Sequence, residues 1–252
     1  MAKSIRKNIL ITGASSGLGE GMAREFAAKG CNLALCARRM EPMETLKAEL
    51  EAAYPNIKVF IRELDVCNYP QVFDVFKAFK EDMGSLDRVI VNAGMGKGAS
   101  LGKGYFEANR RTAETNFVGA LAQCEAAMEI FRAQNSGHLV TMSSMSAVRG
   151  MPRAINIYAA TKAGLRTLTE GIRADLLGTP IKASCILPGF ILTAINKDLK
   201  KAPLRVDLET GCRALVKAIE REPAEAKVPA WPWVPVGLAM KFLPLRIVAK
   251  MT

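Results

Sequence analysis

Short apolar runs alternate with longer segments in which apolar residues recur at helical spacing along most of the chain. The short runs predict β-strands, and the longer segments predict α-helices. The predicted strands cover residues 8–12, 32–37, 57–61, 86–91, 138–142 and 181–187, with a shorter seventh at 225–229. The predicted helices cover residues 17–29, 41–53, 69–82, 110–134, 157–177 and 207–221.

Repeated alternation of apolar strands with helices favours a parallel sheet that is covered by helices on both faces. The sequence contains no linker rich in Pro, Ser or Gly, and it has no repeat period. We therefore predict an α/β fold of three α/β/α layers, with a doubly wound parallel sheet of seven strands. A single domain would span residues 1–252, with an apolar and basic tail from about residue 228 to residue 252.

A glycine-rich segment, T-G-A-S-S-G-L-G at residues 12–19, lies between the first predicted strand and the first predicted helix. Glycines at this junction let the backbone turn tightly and approach a pyrophosphate at the positive end of the helix. The spacing is G-x-x-x-G-x-G, which differs from the G-x-G-x-x-G of other dinucleotide folds. The bland alternative is a strand–helix turn that binds nothing. The candidate cofactor-binding residues here are Gly13, Ser15, Ser16, Gly17, Leu18 and Gly19.

Two arginines, Arg38 and Arg39, follow the second predicted strand, where an enzyme that uses NAD would usually carry an acidic residue. A guanidinium pairs well with a ribose 2′-phosphate, so the pair favours NADP(H) over NAD(H). The alternative is that both are solvated charges at the start of a helix. Asp65, with Val66 after it, follows the third strand and is a candidate partner for the adenine amine. The competing interpretation makes Asp65 the N-cap of the next helix.

Tyr158 and Lys162 are four residues apart in a predicted helix, so both side chains lie on one face. An ammonium beside a phenol stabilises the phenolate, so the tyrosine becomes able to exchange a proton near neutral pH. The pair alone is weak evidence. Its weight comes from the other motifs that precede it in order: the glycine-rich segment, N-A-G at residues 92–94, Asn116 in T-N-F-V-G, and Ser143 and Ser144.

With these motifs in this order, residues 8–195 resemble the short-chain dehydrogenase/reductase superfamily. The resemblance implies a seven-stranded Rossmann-type sheet, a homodimer or homotetramer, and the catalytic residues Asn116, Ser144, Tyr158 and Lys162. Tyr158 would be the general acid/base, and Lys162 would lower its pKa while bonding the nicotinamide ribose. Ser144 would hydrogen-bond the substrate oxygen, and Asn116 would hold a water in the proton relay. Further cofactor contacts would come from Asn92, Ala93, Gly94, Tyr158, Lys162, Pro188, Gly189 and Thr193.

The serine assignment departs from the family pattern, which places the serine thirteen residues before the tyrosine. That position is Met145 here, and Ser143, Ser144 and Ser146 are its neighbours. A loop that is one residue longer, through residues 149–153, would restore Ser144. We prefer Ser144 because it follows the fifth strand as the family serine does, with Ser143 as strand-end packing and Ser146 as a surface hydroxyl.

Composition and charge argue against several classes of function. Net charge is +11, from 35 Lys and Arg against 24 Asp and Glu, but no nucleic-acid-reading motif accompanies it. The six cysteines have no metal-ligand spacing, so we expect no metal site and a reducing, cytoplasmic location. No signal peptide or spanning segment is expected. The only histidine, His138, opens a strand away from the site, and Lys97 and Lys103 are interpreted as solvated loop charges.

The tail from residue 228 contains both tryptophans of the chain, and Lys241, Arg246 and Lys250 interrupt its apolar residues. Tryptophan suits the membrane–water interface, and basic residues suit anionic headgroups. The alternative, which we favour, is that the tail covers the substrate pocket or builds a subunit interface. The sequence as a whole predicts an NADP(H)-dependent reductase of a hydrophobic ketone, with a non-catalytic nucleotide-binding scaffold as the second hypothesis. Residues 198–203 are predicted to belong to a lid.

Overall fold

A computed structural model describes residues 6–96, 98–193 and 204–249 of the protein. It contains one sheet of seven parallel strands with helices on both sides. The strands are β1 Asn8–Thr12, β2 Asn32–Ala37, β3 Val59–Glu63, β4 Arg88–Val91, β5 His138–Met142, β6 Lys182–Pro188 and β7 Glu225–Val228. Their order across the sheet is β3-β2-β1-β4-β5-β6-β7. The prediction of a doubly wound Rossmann-type sheet is confirmed.

Nine α-helices are assigned among the described residues, and most of them cover a face of the sheet. They are α1 Gly17–Ala27, α2 Glu41–Ala53, α3 Tyr69–Met83, α4 Phe106–Ala113, α5 Gly119–Gln134, α6 Asn156–Asp175, α7 Leu208–Ile219, α8 Ala230–Phe242 and α9 Leu245–Val248. α1, α2 and α7 pack on one face, and α3, α5 and α6 pack on the other.

The central strands are apolar at consecutive positions because both faces of the sheet are buried. In β1, Ile9 and Ile11 point towards α1, while Leu10 between them points towards α3. The first group packs with Phe26, and the second packs with Phe76; all five side chains are inaccessible to solvent. Each such burial contributes about 1.5–3 kcal/mol, so the strands form one continuous core with the helices of both layers.

The direction of the strand order reverses at β1, which pairs with β2 on one side and with β4 on the other. In open parallel sheets a crevice forms at this reversal, beyond the carboxyl ends of the strands. The glycine-rich segment leaves β1 at that crevice, and the N-A-G segment leaves β4 there. The topology therefore brings together motifs that are about eighty residues apart in the sequence.

Several predicted boundaries differ from the structure by one to four residues, and three of these elements are described here. The third strand runs from Val59 to Glu63 rather than over 57–61, because the register is set by its pairing with β2, from Leu33 to Ala37. The fourth begins at Arg88, two residues later than predicted. The helix predicted over 110–134 begins at Phe106 and is interrupted by a π-helical turn at Glu114–Val118.

A buried polar cluster lies at the amino ends of the strands, opposite the crevice. The Nε of Arg88 donates to Nδ1 of His138 at 2.9 Å, and Nε2 of His138 lies 2.8 Å from the Ser184 hydroxyl. Because Nδ1 accepts a hydrogen bond, the ring is neutral and Nε2 carries its proton. Glu222 completes the cluster with ion pairs to Arg88 and Arg6. The only histidine is therefore part of the structural base of the sheet.

Candidate functional site

The glycine-rich turn after β1 requires glycine for two different reasons. Gly13 and Gly17 have φ angles of 67° and 61°, in the left-handed region that favours glycine. Gly19 has an ordinary backbone conformation, but a Cβ there would lie 2.3 Å from the carbonyl oxygen of Gly13. A Cβ at Gly13 would also lie 2.9 Å from the Cα of Ala93. The turn is thus packed too closely against the end of β4 to tolerate side chains.

Thr12 and Asn92 connect this turn to the end of β4. The Thr12 hydroxyl oxygen accepts hydrogen bonds from the backbone N–H groups of Asn92 and Ala93, both at 3.0 Å. The Asn92 side chain donates in return to the carbonyl oxygen of Thr12 at 2.8 Å. These reciprocal bonds fix the two loops that border the crevice. Asn92 acts through its side chain here, a role that the sequence did not reveal.

The first turn of α1 opens towards this crevice. Ser16 occupies the N-cap position, yet its side chain makes no capping hydrogen bond, and Glu20 is the acidic residue of the first turn. Uncapped N–H groups at a helix N-terminus favour an anionic ligand. The Thr193 side chain lies over the same turn, with its Cγ2 3.6 Å from the position of a Cβ on Gly17. The structure therefore brings together Gly17 and Thr193, two predicted cofactor-binding residues from opposite ends of the motif set, while Leu18 packs against the core.

The two arginines after β2 are placed differently. The Nη2 of Arg39 donates to the hydroxyls of Ser15 and Ser16 at 3.2 and 3.1 Å, so this guanidinium lies against the glycine-rich turn. Arg38 is exposed at the end of the strand. Both arginines are sequence candidates for the 2′-phosphate, and the contacts of the folded protein place Arg39 at the turn.

Asp65 and Val66 follow β3 at the same edge of the sheet. The Asp65 carboxylate accepts from the backbone N–H of Cys67 at 3.0 Å, in a local turn. The N-cap of α3 is Asn68, whose side chain accepts from the N–H of Gln71, so the N-cap interpretation of Asp65 is wrong. Asp65 comes too early because the chain makes one more turn before the helix begins. Val66 is buried.

Asn116 lies in the π-helical turn between α4 and α5 and is almost completely buried. Its Oδ1 accepts from the backbone N–H of Met95 at 2.8 Å, and its Nδ2 donates to the carbonyl oxygen of Met95 at 2.8 Å. The side chain therefore holds the loop after β4 in place. A Cβ on Gly94 in that loop would lie 3.2 Å from Asn116 Oδ1 and 3.5 Å from Lys162 Nζ. π-Helical turns of this kind frequently occur at functional sites.

Tyr158 and Lys162 share one face of α6, as their spacing predicts. The Lys162 ammonium lies 5.9 Å from the centre of the Tyr158 ring and donates to the carbonyl oxygen of Met142 at 2.8 Å. Burial lowers the pKa of Lys162 to about 8. Burial also raises the pKa of Tyr158, while interaction with the Ser144 hydroxyl acts in the opposite direction. The ammonium, the phenol and the hydroxyl thus form one cluster at the carboxyl ends of the strands.

The three serines near the end of β5 have distinct environments. Ser143 is buried, and its hydroxyl donates to the carbonyl oxygen of Lys162 at 2.8 Å, which attaches α6 to the strand. Ser144 faces Tyr158, and its Oγ also accepts from the backbone N–H of Ser146 at 3.1 Å. Two short 3₁₀ turns, Met145–Val148 and Arg153–Ile155, lie between Ser144 and α6, and Arg153 has a φ of 57°. Among the three, Ser144 is the one that reaches Tyr158.

Pro188 ends β6, and Gly189 after it packs directly against the C-terminal tail. A Cβ on Gly189 would lie 2.1 Å from the indole of Trp233 in α8, so only glycine fits. Trp233 also packs edge-to-face on Phe190, with ring centres 5.5 Å apart, and it shares a small core with Met145 next to Ser144. The inner face of α8 therefore supports the two loops that carry Ser144 and Gly189. The sequence left this arrangement open.

Arg149 attaches the end of α8 to the loop after Ser144. Its Nη1 donates to the carbonyl oxygens of Met240 and Lys241 at 3.1 and 3.2 Å, and also to that of Leu243. These are carbonyls at the end of a helix that have no partner within the helix, and an arginine suits the negative end of the helix dipole. No sequence motif marks Arg149 for this role.

Other residues and segments that the sequence analysis considered lie away from this cluster or outside the described residues. Lys103 is exposed, whereas Lys97 and the predicted lid at 198–203 lie outside the described residues. All six cysteines are free, and five of them are buried. Within the described ranges, no group of three His, Cys, Asp or Glu side chains is arranged to hold a metal ion. Helices long and apolar enough to cross a membrane are likewise absent from these ranges.

Comparison with known proteins gives consistent matches. The family model described as short chain dehydrogenase matches residues 7–204. An uncharacterized oxidoreductase of Mycobacterium tuberculosis is 51% identical over 242 residues, which are 96% of each chain. A structure of an alcohol dehydrogenase from Thermococcus sibiricus, complexed with 5-hydroxy-NADP, aligns with a TM-score of 0.78 and 25% identity, over 88% of this chain and 95% of the other. A short-chain dehydrogenase/reductase of Burkholderia phymatum, in complex with NAD, has the same fold, with a TM-score of 0.84 at 22% identity over 100% and 98% of the two chains.

Proposed function

Because this chain belongs to the short-chain dehydrogenase/reductase family, we propose that it is an NADP(H)-dependent oxidoreductase that reduces a hydrophobic ketone to an alcohol. The observation that carries the proposal is the cluster of Ser144, Tyr158 and Lys162 beside the glycine-rich turn. A proton donor, a cation and a hydroxyl meet there, at the crevice where a parallel sheet binds its ligand. Lipids, steroid-like ketones and 3-oxoacyl compounds are the substrate classes that we propose.

The residues present fit a dinucleotide. The turn at Gly13, Gly17 and Gly19 has no side chains in the way, and the N–H groups at the start of α1 are uncapped. We assign the pyrophosphate to this turn, with Thr193 against it. Asp65 and Val66 would border the adenine, and Asn92, Ala93, Gly94, Pro188 and Gly189 would border the nicotinamide end. The 2′-phosphate would be held by Arg39 and Arg38, because guanidinium groups pair strongly with phosphate.

Reduction needs a hydride and a proton, and the nicotinamide supplies the hydride when it is bound. In our proposal Ser144 donates a hydrogen bond to the substrate oxygen, and Tyr158 gives that oxygen its proton. Lys162 then stabilises the tyrosinate by its positive charge, while Met142 keeps the ammonium in place. Asn116, held by Met95, would position the water that returns a proton to Tyr158. Each residue thus acts on the charge that develops at one oxygen.

Cofactor preference tests the role of the arginines. We expect Arg39→Ala to weaken NADPH binding about tenfold to a hundredfold, the value of a lost charge-assisted hydrogen bond of about 1.5–3 kcal/mol. Arg38→Ala should also weaken it if both guanidinium groups share the phosphate. NADH lacks the 2′-phosphate, so its affinity should change little. Calorimetric titration of both nucleotides measures the ratio.

Arg221→Ala is the matched control for that titration, because Arg221 is exposed near the opposite edge of the sheet. It should leave both affinities unchanged. Equal NADPH and NADH affinities in the wild type, or an unchanged ratio in both arginine variants, would contradict the NADP(H) preference. If neither nucleotide binds at all, the assignment of the glycine-rich turn fails, and with it the oxidoreductase mechanism.

The pH dependence tests the role of Lys162. Its pKa of about 8 means that the ammonium loses its proton as the pH rises through that value. The kcat/KM for ketone reduction should therefore fall about tenfold per pH unit above pH 8, because the tyrosinate is no longer stabilised. Lys162→Arg keeps its charge, so its falling limb should move to higher pH. A limb that stays in place in Lys162→Arg would assign the titration to another group.

The scaffold hypothesis remains the alternative from another class. A scaffold would bind the nucleotide without needing the Tyr158, Lys162 and Ser144 cluster. If the protein is a scaffold, a Tyr158→Phe variant should keep its full function in the cell. If it is a reductase, the same variant should lose that function. Reduction is the proposed direction because cells keep NADPH reduced, and its test is consumption of NADPH in a screen of hydrophobic ketones.

A homo-oligomer is part of the proposal. Leu121 in α5 and Val118 just before it are large apolar residues that are 40% and 38% exposed. Beside them, a shallow groove between α5 and α6 is lined by Met128, Leu168 and Ile172, among others. We propose that a second copy covers this face. Mass measurement in solution should give at least a dimer, and Leu121→Lys should lower that mass.

A further inference from the structure

The outer face of α8 and α9 carries an apolar stripe that the catalytic proposal does not use. Val234, Leu238 and Phe242 recur every four residues along α8, so they lie on the side opposite the buried Trp233. Trp231 precedes them at a kink where its own backbone is not helical, and Leu245 begins α9. Together these five large apolar side chains form the exposed stripe. They are Trp231, Val234, Leu238, Phe242 and Leu245, with exposed fractions of 80%, 50%, 59%, 79% and 62%. We call this set the outer stripe.

The α8 helix is unusual because it is apolar on both faces. Its inner face, with Trp233, Gly237 and Met240, is buried against the loops near Ser144 and Gly189. A helix of this kind is normally buried all round or in contact with lipid. Contiguous exposed apolar surface marks an interaction site in a soluble protein. The inner face thus explains why α8 docks on the protein, and the outer stripe needs a second partner.

The charges of the segment indicate which partner fits. From residue 228 to residue 252 the sequence contains no Asp or Glu, while it contains Lys241, Arg246 and Lys250. Lys241 and Arg246 are both exposed and lie beside the outer stripe. An apolar stripe flanked only by basic residues complements an anionic lipid surface. A two-fold contact between copies of this stripe would instead bring the basic residues of both copies together without any acidic partner.

We infer that the outer stripe docks the protein on the surface of an anionic phospholipid bilayer. Beyond the kink at Trp231, the regular part of α8 extends about 16 Å, which is too short to span the bilayer core but suits a helix lying in its interface. Trp231 and Phe242 would enter the headgroup region from the two ends of α8, and Lys241 and Arg246 would meet the lipid phosphates. The inference is independent of the proposed chemistry. It also places a membrane close to Trp233, which packs against the loops that carry Ser144 and Gly189.

The test is co-sedimentation of the full-length protein with vesicles of phosphatidylcholine alone and of phosphatidylcholine mixed with phosphatidylglycerol. We expect binding to the anionic vesicles that weakens with added salt. Trp231→Ser with Phe242→Ser should reduce the partition coefficient at least tenfold, because two exposed aromatic rings no longer enter the interface. Lys241→Gln with Arg246→Gln should reduce it about twenty-five-fold, at roughly fivefold per charge.

Two controls test whether lipid binding depends on where the substituted residues lie or only on the loss of exposed apolar or charged side chains. Leu177→Ser removes an apolar side chain that is 79% exposed outside this segment. Lys58→Gln with Lys77→Gln removes two exposed charges elsewhere. Neither control should alter binding by more than about twofold. Because Trp231 and Phe242 lie outside the catalytic cluster, turnover of a water-soluble ketone should be unchanged in that variant, which separates this inference from the proposed reaction.

Four outcomes would overturn the inference. They are no binding to anionic vesicles, equal binding to the neutral vesicles, equal binding by the Trp231→Ser and Phe242→Ser variant, and equal loss in the controls. Light scattering supplies a further check in the absence of lipid. If the aromatic variant has a smaller mass than the wild type, a second copy of the chain covers the outer stripe, and the membrane assignment is wrong.

Discussion

Replacing Tyr158 by Phe should lower kcat for ketone reduction by about 10²–10⁴-fold, the usual contribution of a general acid. The substitution removes one oxygen and leaves the ring between its neighbours on α6. The proton that the substrate oxygen needs then has no donor, while the ammonium of Lys162 keeps its hydrogen bond to Met142. Affinity for NADPH should therefore change less than fivefold. Steady-state kinetics and calorimetry on the same preparation separate the two effects.

Tyr54→Phe is the matched control, because Tyr54 is partly buried and caps the end of α2 far from the cluster. It should retain wild-type turnover. A Tyr158→Phe protein with wild-type turnover would exclude Tyr158 as the acid, whatever the cofactor affinity. If the variant loses both turnover and nucleotide binding, Tyr158 has a structural role instead. Ser144→Ala tests the cluster at a second residue. It should cause a similar loss of kcat and leave the NADPH affinity unchanged.

The second large effect should come from Glu222, at the opposite edge of the sheet. Its carboxylate accepts from Arg6 at 3.1 Å and from Arg88 at 3.4 Å, and both arginine side chains are less than 10% exposed. Removing the carboxylate leaves two buried positive charges without their acidic partner. Burial already lowers the pKa of Arg88, which shows how poorly this site solvates a cation. Glu222→Ala should cost about 3–5 kcal/mol in the free energy of unfolding.

Chemical denaturation measures that cost, and Glu209→Ala is its control. Glu209 forms an ion pair with Arg213 on the exposed face of α7, where both side chains are more than 60% exposed. Such surface pairs are worth about 0–1 kcal/mol. The folded Glu222→Ala protein should also keep its turnover number, because the cluster lies across the sheet from Tyr158. Equal costs for the two variants would mean that water reaches Arg6 and Arg88.

The sequence alone determined the sheet, the family and the principal motifs. Apolar runs at 8–12 and 32–37 coincide with β1 and β2, because strands buried on both faces need continuous apolar residues. The spacing of Tyr158 and Lys162 put both on one helix face, since helical geometry depends only on local backbone repeats. The resemblance to short-chain dehydrogenases/reductases, which rests on such local signals, is confirmed. The order of the motifs was informative because a parallel sheet brings the carboxyl ends of its strands, where the motifs lie, to one edge.

Only the tertiary structure decided features that depend on contacts between distant residues. The limits of β3 are set by its pairing with β2, and the N-cap of α3 is Asn68 rather than Asp65. A local sequence pattern determines neither the register of a strand nor the length of a turn. The π-helical turn at Asn116 arose where its side chain binds the backbone of Met95, twenty-one residues away. Arg39 reached the glycine-rich turn through its contact with Ser16.

The C-terminal tail shows most clearly what the sequence determines and what only the tertiary structure decides. Its composition predicted either a membrane contact or a cover for the site, because apolar and basic residues suit both. Folding separated the two faces of α8, since Gly189 leaves room for Trp233 and Arg149 binds the carbonyl groups at the end of the helix. Trp231, two residues earlier, was left on the outside. Sequence determines what each side chain is able to contact, but packing across the chain decides which surface remains for a partner.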